Sequence, residues 1–276
     1  MITIMQKTWQ FLLLIMLCCI SSAQARDANT ELLIAAREGR LNQLKSALMV
    51  GADVNAANAY GKTALMGAVY YGNISIVKYL LSEGAEVNVV EKSGRTPLLS
   101  AVMQGRLEIF KELFNLGADI NAKAKDGATA LIYAAYQGQV DMVSLLLSRG
   151  VDVNAKTTDG VTALHHAAYF GREKIAPLLI GRGADINATT EQGMTPLMQA
   201  ANQSHLAIVQ LLIAKGADIT IATETGLTAL SNVSGENSEA IVSALEEAGT
   251  SAEEENKEDE PAEGEEKEVP KESAPK

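Results

Sequence analysis

The sequence is short of the residues that carry most protein chemistry. Its two cysteines, Cys18 and Cys19, are adjacent and lie in an N-terminal apolar run. The remainder of the chain therefore offers no disulfide, no thiolate nucleophile and no cysteine metal site. Histidine occurs three times, as His165, His166 and His205. Consecutive residues on a helix do not face each other, so His165 and His166 make a poor metal pair. Phosphate loop, nucleophile elbow and zinc spacing are all missing. Nor do two carboxylates recur together as glycan hydrolysis requires. No catalytic residue, cofactor or metal is expected. Positive charge is also scarce: the net charge is −11, which argues against nucleic acid and anionic membrane surfaces as partners.

No apolar run is long enough to span a bilayer, which needs roughly 20 residues. The longest, Phe11 to Ile20, follows a start whose one charge is Lys7 and precedes Ala23-Gln24-Ala25. That order is the pattern of a secretory signal peptide, and cleavage is expected after Ala25. Lipoprotein processing at Cys18 or Cys19 would prefer a small residue before the cysteine, and Leu17 and Cys18 fit poorly. After cleavage no membrane insertion is expected. At the other end, residues 251–276 hold eleven acidic and four basic residues, with Val269 the one large aliphatic. Such a segment buries too little apolar surface to offset its ordering entropy, so disorder is expected there. The domain division is thus 1–25 signal peptide, 26–250 folded body and 251–276 acidic tail.

What the body has in abundance is periodicity. Gly61, Gly94, Gly127, Gly160, Gly193 and Gly226 recur every 33 residues. Gly51, Gly84, Gly117, Gly150, Gly183, Gly216 and Gly249 keep the same period. So do Gly39, Gly72, Gly105, Gly138 and Gly171, continued by Ser204 and Asn237. After the first series comes Thr-x-Leu, as in Thr63-Ala64-Leu65 and Thr96-Pro97-Leu98. Threonine is a helix N-cap, and proline suits the first helical position. Pairs of small residues follow, such as Ala134-Ala135 and Ala167-Ala168. They let a short helix approach its neighbours before the next glycine ends it. A second helix then repeats apolar residues at three and four spacing, such as Val143, Leu146 and Leu147. Gly-Ala-Asp-x-Asn turns at 51–55, 117–121 and 183–187 lead to a hairpin tipped by the first glycine series.

Period, Thr-Pro-Leu, Ala-Ala-x-x-Gly and Gly-Ala-Asp-x-Asn together resemble the ankyrin repeat, over roughly residues 29–250. The resemblance implies an all-α solenoid of paired antiparallel helices with β-hairpin or loop fingers. It implies about seven units, the first and last serving as caps. The last helix, Ser238 to Glu247, should turn Ile241, Val242 and Leu245 inward. Departures are visible: the helix-opening histidine survives only as His165, read as structural, and Pro177 falls inside a second helix, where a late start or a kink is expected. Four Asn-x-Ser/Thr sequences, at Asn73, Asn187, Asn202 and Asn232, read as repeat-turn or helix residues.

In such stacks the finger tips and the exposed side of the first helix line a concave groove. The helix positions read Tyr70-Tyr71, Met103-Gln104, Tyr136-Gln137, Tyr169-Phe170 and Asn202-Gln203, and a tip adds Tyr60. Beyond residue 25 the chain has ten aromatic residues, and six occupy these positions. Exposed aromatics of this kind resemble binding anchors, although some could instead pack sideways on the next helix. The first three tips carry Lys62, then Lys92 and Arg95, then Lys125, whereas later tips carry Val161, Met194 and Leu227. Partner contact is expected at Tyr60, Lys62, Tyr70, Tyr71, Lys92, Arg95, Met103, Lys125, Tyr136, Gln137, Tyr169 and Phe170. The expected function is non-enzymatic binding of a protein by a monomer, in the periplasm. Alternatives are a secreted effector that binds a host protein and a module that binds cell-wall glycan.

Overall fold

The computed structural model describes residues 27–258. The expected signal peptide, with Cys18, Cys19 and the Ala25 cleavage site, lies outside the described residues, as do residues 259–276.

Among the described residues thirteen helices follow one another, twelve of them in pairs. The first members of the pairs are α1 (27–38), α3 (Ala64–Tyr71), α5 (Pro97–Met103), α7 (Ala130–Gln137), α9 (Ala163–Tyr169) and α11 (Pro196–Asn202). The second members are α2 (Leu41–Met49), α4 (Ile74–Ser82), α6 (Leu107–Asn115), α8 (Val140–Ser148), α10 (Ala176–Ile180) and α12 (Leu206–Ala214). A last helix, α13 (Ser238–Glu258), closes the stack. Each first helix packs on the next first helix, and second helices pack in a layer behind them. This is the expected all-α solenoid.

The threonine expectation holds at α3, α5, α7, α9 and α11, whereas α1 already starts at residue 27, ahead of Thr30. Thr63, Thr96, Thr129, Thr162 and Thr195 accept a hydrogen bond from the backbone N–H three residues on, at 3.2–3.4 Å. Small residues do what close approach requires. Ala64, Ala68, Ala101, Ala134, Ala135, Ala167 and Ala168 are wholly inaccessible or nearly so. Leu65, Leu98, Leu131, Leu164 and Leu197 form a spine through the stack, each about 1% exposed.

The fingers are loops rather than strands. Among the described residues the one β-bridge is Ala57 with Thr63. Each loop closes on itself, for example by Glu91 N–H to Arg95 O and Gly94 N–H to Glu91 O. The first five loops are then tied together. Lys92, Lys125, Thr158 and Glu191 donate their N–H to Tyr60, Ser93, Asp126 and Asp159 of the preceding loop. One bond per junction gives no strand ladder but holds the tips in register.

Two further side-chain series lock one repeat to the next. Asn73, Gln139 and His205 stand at the N-termini of their second helices without capping them, and Arg172 holds the same repeat position ahead of the late-starting α10. They reach back instead to the carbonyls at the end of the preceding first helix, at Ala36, Val102, Tyr136 and Tyr169. They thereby satisfy orphan acceptors that every helix end leaves. Asn55, Asn88 and Asn154 accept the N–H of Glu86, Asp119 and Asp185 while donating to Gly84, Gly117 and Gly183.

Three departures have physical causes. Pro177 delays α10 to Ala176, three residues after the start of its counterparts, because proline fits only the first turn. In the last unit Thr228 still caps, but 229–232 form turns instead of a helix, and Leu230 is exposed where its counterparts are buried. Ser231-Asn232-Val233-Ser234 stands where other units have small helix formers. Finally, α13 runs past the expected Glu247 to Glu258, into the segment for which disorder was expected. Alanine and glutamate there are good helix formers. Ile241 and Leu245 point inward, while Val242, with nothing beyond it, is half-buried.

Candidate functional site

The concave face is built from the loop tips and the outward positions of the first helices. At its N-terminal end lies an open cleft of about 290 Å³. Tyr60, Tyr70, Tyr71, Arg37, Lys62, Arg95 and Glu91 are among its walls. Five of the twelve expected contact residues thus share one depression. Tyr60, Tyr70 and Tyr71 stay 69%, 46% and 52% exposed. Tyr70 and Tyr71 meet edge to face at 5.1 Å between ring centres, which orients both rings.

Glu91 is the residue that sequence reasoning missed here. It is buried, yet it is paired: Lys62 Nζ lies 3.6 Å from one carboxylate oxygen, Arg95 Nε 3.9 Å from the other. Ser93 donates its hydroxyl to the same group at 2.5 Å. Lys62 and Arg95 are therefore not free cations of a solvated tip. They converge on one carboxylate, which fixes where their charge sits. Tyr133 extends this network. Its hydroxyl lies between Arg95 and Asp126, and burial first, then the Asp126 charge, raises it above the usual phenol range. Tyr133 occupies the position between the helix-opening residue and the alanine pair, held elsewhere by Gly67, Ser100, His166 and Gln199. That variability within a regular repeat was the available signal.

A second aromatic patch lies farther along. Phe170 is half-buried and packs edge on against Tyr136 and Tyr169, each at 4.8 Å. His166, also unassigned from sequence, meets Tyr136 at 5.3 Å, and Arg172 stands 5.7 Å over Phe170. Tyr136 and Tyr169 keep their outer faces exposed, whereas Phe170 packs sideways and stiffens the patch. Gln137 is exposed beside it. Met103, half-buried, stands between the two aromatic patches. Lys92 and Lys125 project from their tips, exposed, with backbones anchored by the loop-to-loop bonds.

His165 plays no part in the groove. It is fully buried, and its Nδ1 accepts the Thr162 N–H at 3.2 Å while Nε2–H donates to Met194 O at 3.0 Å. Desolvation pulls its pKa down to about 4. Among the described residues no cluster of histidine and carboxylate side chains could hold a metal, and no helix is long and apolar enough to cross a membrane.

Comparison with known proteins agrees with this architecture. The family description "Ankyrin repeats (3 copies)" matches residues 32–124 and 118–190. The chain belongs to the ankyrin-repeat family. A second description, "Ankyrin repeats (many copies)", matches residues 178–231. Among solved structures, the crystal structure of the human ASB11 ankyrin repeat domain superposes with a TM-score of 0.70 at 28% identity, covering 79% of this chain and 96% of that one. No curated protein matches the sequence. Ankyrin repeats are protein-interaction scaffolds, and the solenoid described above is one of them.

Proposed function

We propose that this ankyrin-repeat protein is an exported, non-catalytic binding protein that holds a segment of a partner protein in its concave groove, in the periplasm. The observation that carries the reading is the N-terminal cleft. Three tyrosines keep about half or more of their surface exposed around it. Stacking and finger bonds hold them in place, so binding would cost little side-chain ordering. Export is supported by the N-terminal signal-like segment and by a body without cysteine.

The test is chemical crosslinking of the full protein to a periplasmic extract. Recovered protein should begin at Arg26. Replacing Tyr60, Tyr70 and Tyr71 by alanine should abolish the crosslinked species, at about 1–2 kcal/mol of binding for each anchor, with the melting temperature little changed. Unaltered crosslinking by that variant would move the site off the groove.

A further inference from the structure

Charge is distributed along the fingers in one direction. The loop 57–62 carries Lys62 alone, 90–95 carries Glu91, Lys92 and Arg95, and 123–128 carries Lys123, Lys125 and Asp126. Each of the first three is therefore net positive by one. The loop 156–161 is neutral, with Lys156 and Asp159, and the last two carry only Glu191 and Glu224. Among the fingers this basic stretch stands out on a protein of net charge −11, and its first two loops coincide with the tyrosine cleft. Within the cleft Lys62 and Arg95 share the carboxylate of Glu91, while Arg37 on its wall pairs with Glu38 at 3.4 Å.

We propose that the first three fingers and the Tyr60–Tyr70–Tyr71 cleft take an extended acidic segment of a partner protein that carries an aromatic or large apolar residue. This rests on the groove-binding reading above and gives it a ligand chemistry. Glu91 does not cancel the site. Its pairs with Lys62 and Arg95 are long, at 3.6 and 3.9 Å, and those side chains remain 51% and 39% exposed. The buried carboxylate holds two cations at fixed places, with donors left over for a carboxylate arriving from solvent. Lys92 and Lys125 stand on the neighbouring tips, where successive carboxylates of an extended chain would reach them. The ring faces of the tyrosines bury the apolar residue. The acidic later fingers repel the same segment, so it has one favoured end of the groove.

Fluorescence anisotropy on the full protein tests this. The probe is a short labelled peptide with glutamates on both sides of one phenylalanine. Its controls are the lysine counterpart and a version with alanine for phenylalanine. The glutamate peptide should bind best at low salt, weaken with added salt, and lose on the order of tenfold in affinity with the double variant Lys92→Glu, Lys125→Glu. The alanine version should bind more weakly. A chain ending at Thr250 should bind the probe as the full chain does. Tighter binding by the shortened chain at low salt would put this chain's own acidic end in the cleft and overturn the partner assignment. Preference for the lysine peptide, or no binding by any peptide, overturns the acidic-segment inference. The groove reading would still stand or fall by the tyrosine-dependent crosslinks. Binding indifferent to phenylalanine reduces the site to surface charge and overturns the role of the cleft.

Discussion

His165 shows how one residue can satisfy several demands at once. Its equivalents are Met66, Leu99, Ile132, Met198 and Ser231, so the stack does not need an imidazole there. The histidine closes a capping box with Thr162 and bonds the next finger at Met194. Met198 offers only a thioether sulfur to the Thr195 N–H, at 3.5 Å, a weaker acceptor. The bonded, buried imidazole must stay neutral. Its pKa, lowered to about 4 in the folded state, lies near 6.5 in the unfolded chain. Above pH 6.5 both states are neutral and the stability is complete. As pH falls from about 6.5 to about 4 the unfolded chain takes the proton first, so stability declines by about 3 kcal/mol and then levels. His166, lowered by the same desolvation, adds to this slope. Urea denaturation at about pH 7 and about pH 4.5 should show a smaller loss in His165→Met than in the unaltered chain. An equal loss in both would mean that His165 opens to water in the folded state.

At the scale of the element, the fingers matter most. Gly94 and Gly226 have nearly the same left-handed backbone, with φ of 81° and 80°. Their surroundings differ. A Cβ at Gly94 would lie 2.6 Å from the Lys125 backbone nitrogen, whereas at Gly226 it would meet open space because no finger follows. Gly226→Ala should therefore cost only the backbone strain, about 1 kcal/mol. Gly94→Ala adds a clash with backbone that cannot move alone, and should cost roughly 3 kcal/mol. It should also displace the third finger, weakening any ligand held by Lys92 and Lys125. Chemical denaturation of the two variants is the check, and equal costs would show that finger stacking adds nothing.

For the whole molecule, each repeat touches only its neighbours, so position along the stack sets the cost of a lesion. Leu146 in α8 and Leu245 in α13 occupy equivalent sites, 0% and 2% exposed. Leu146→Ala leaves a cavity with repeats on both sides and should cost about 2–5 kcal/mol. Leu245→Ala should cost less and fray the C-terminal end, where the preceding first helix is already reduced to turns. Denaturation curves separate the outcomes, and matching losses would contradict nearest-neighbour stacking.

The sequence by itself determined the fold. A fixed 33-residue period, threonine caps, paired alanines and left-handed glycines are local requirements, and local requirements are written in residue types at fixed spacing. The row of Tyr60, Tyr70, Tyr71, Tyr136 and Tyr169 was legible for the same reason, since a repeat assigns each position a face. Which of those side chains are free to bind was decided only by the tertiary structure. Lys62 and Arg95 were legible as tip cations expected to meet a partner, but their shared pairing with the buried Glu91 was not. Phe170 looked like an anchor until it packed against Tyr136 of the preceding repeat. The late start of α10 and the collapsed first helix of the last unit followed from Pro177 and from Ser231 to Ser234, but the latches from Asn73, Gln139, Arg172 and His205 did not. Those contacts join residues about 36 apart, and a side chain's partner across a repeat depends on stacking geometry, which no single repeat contains.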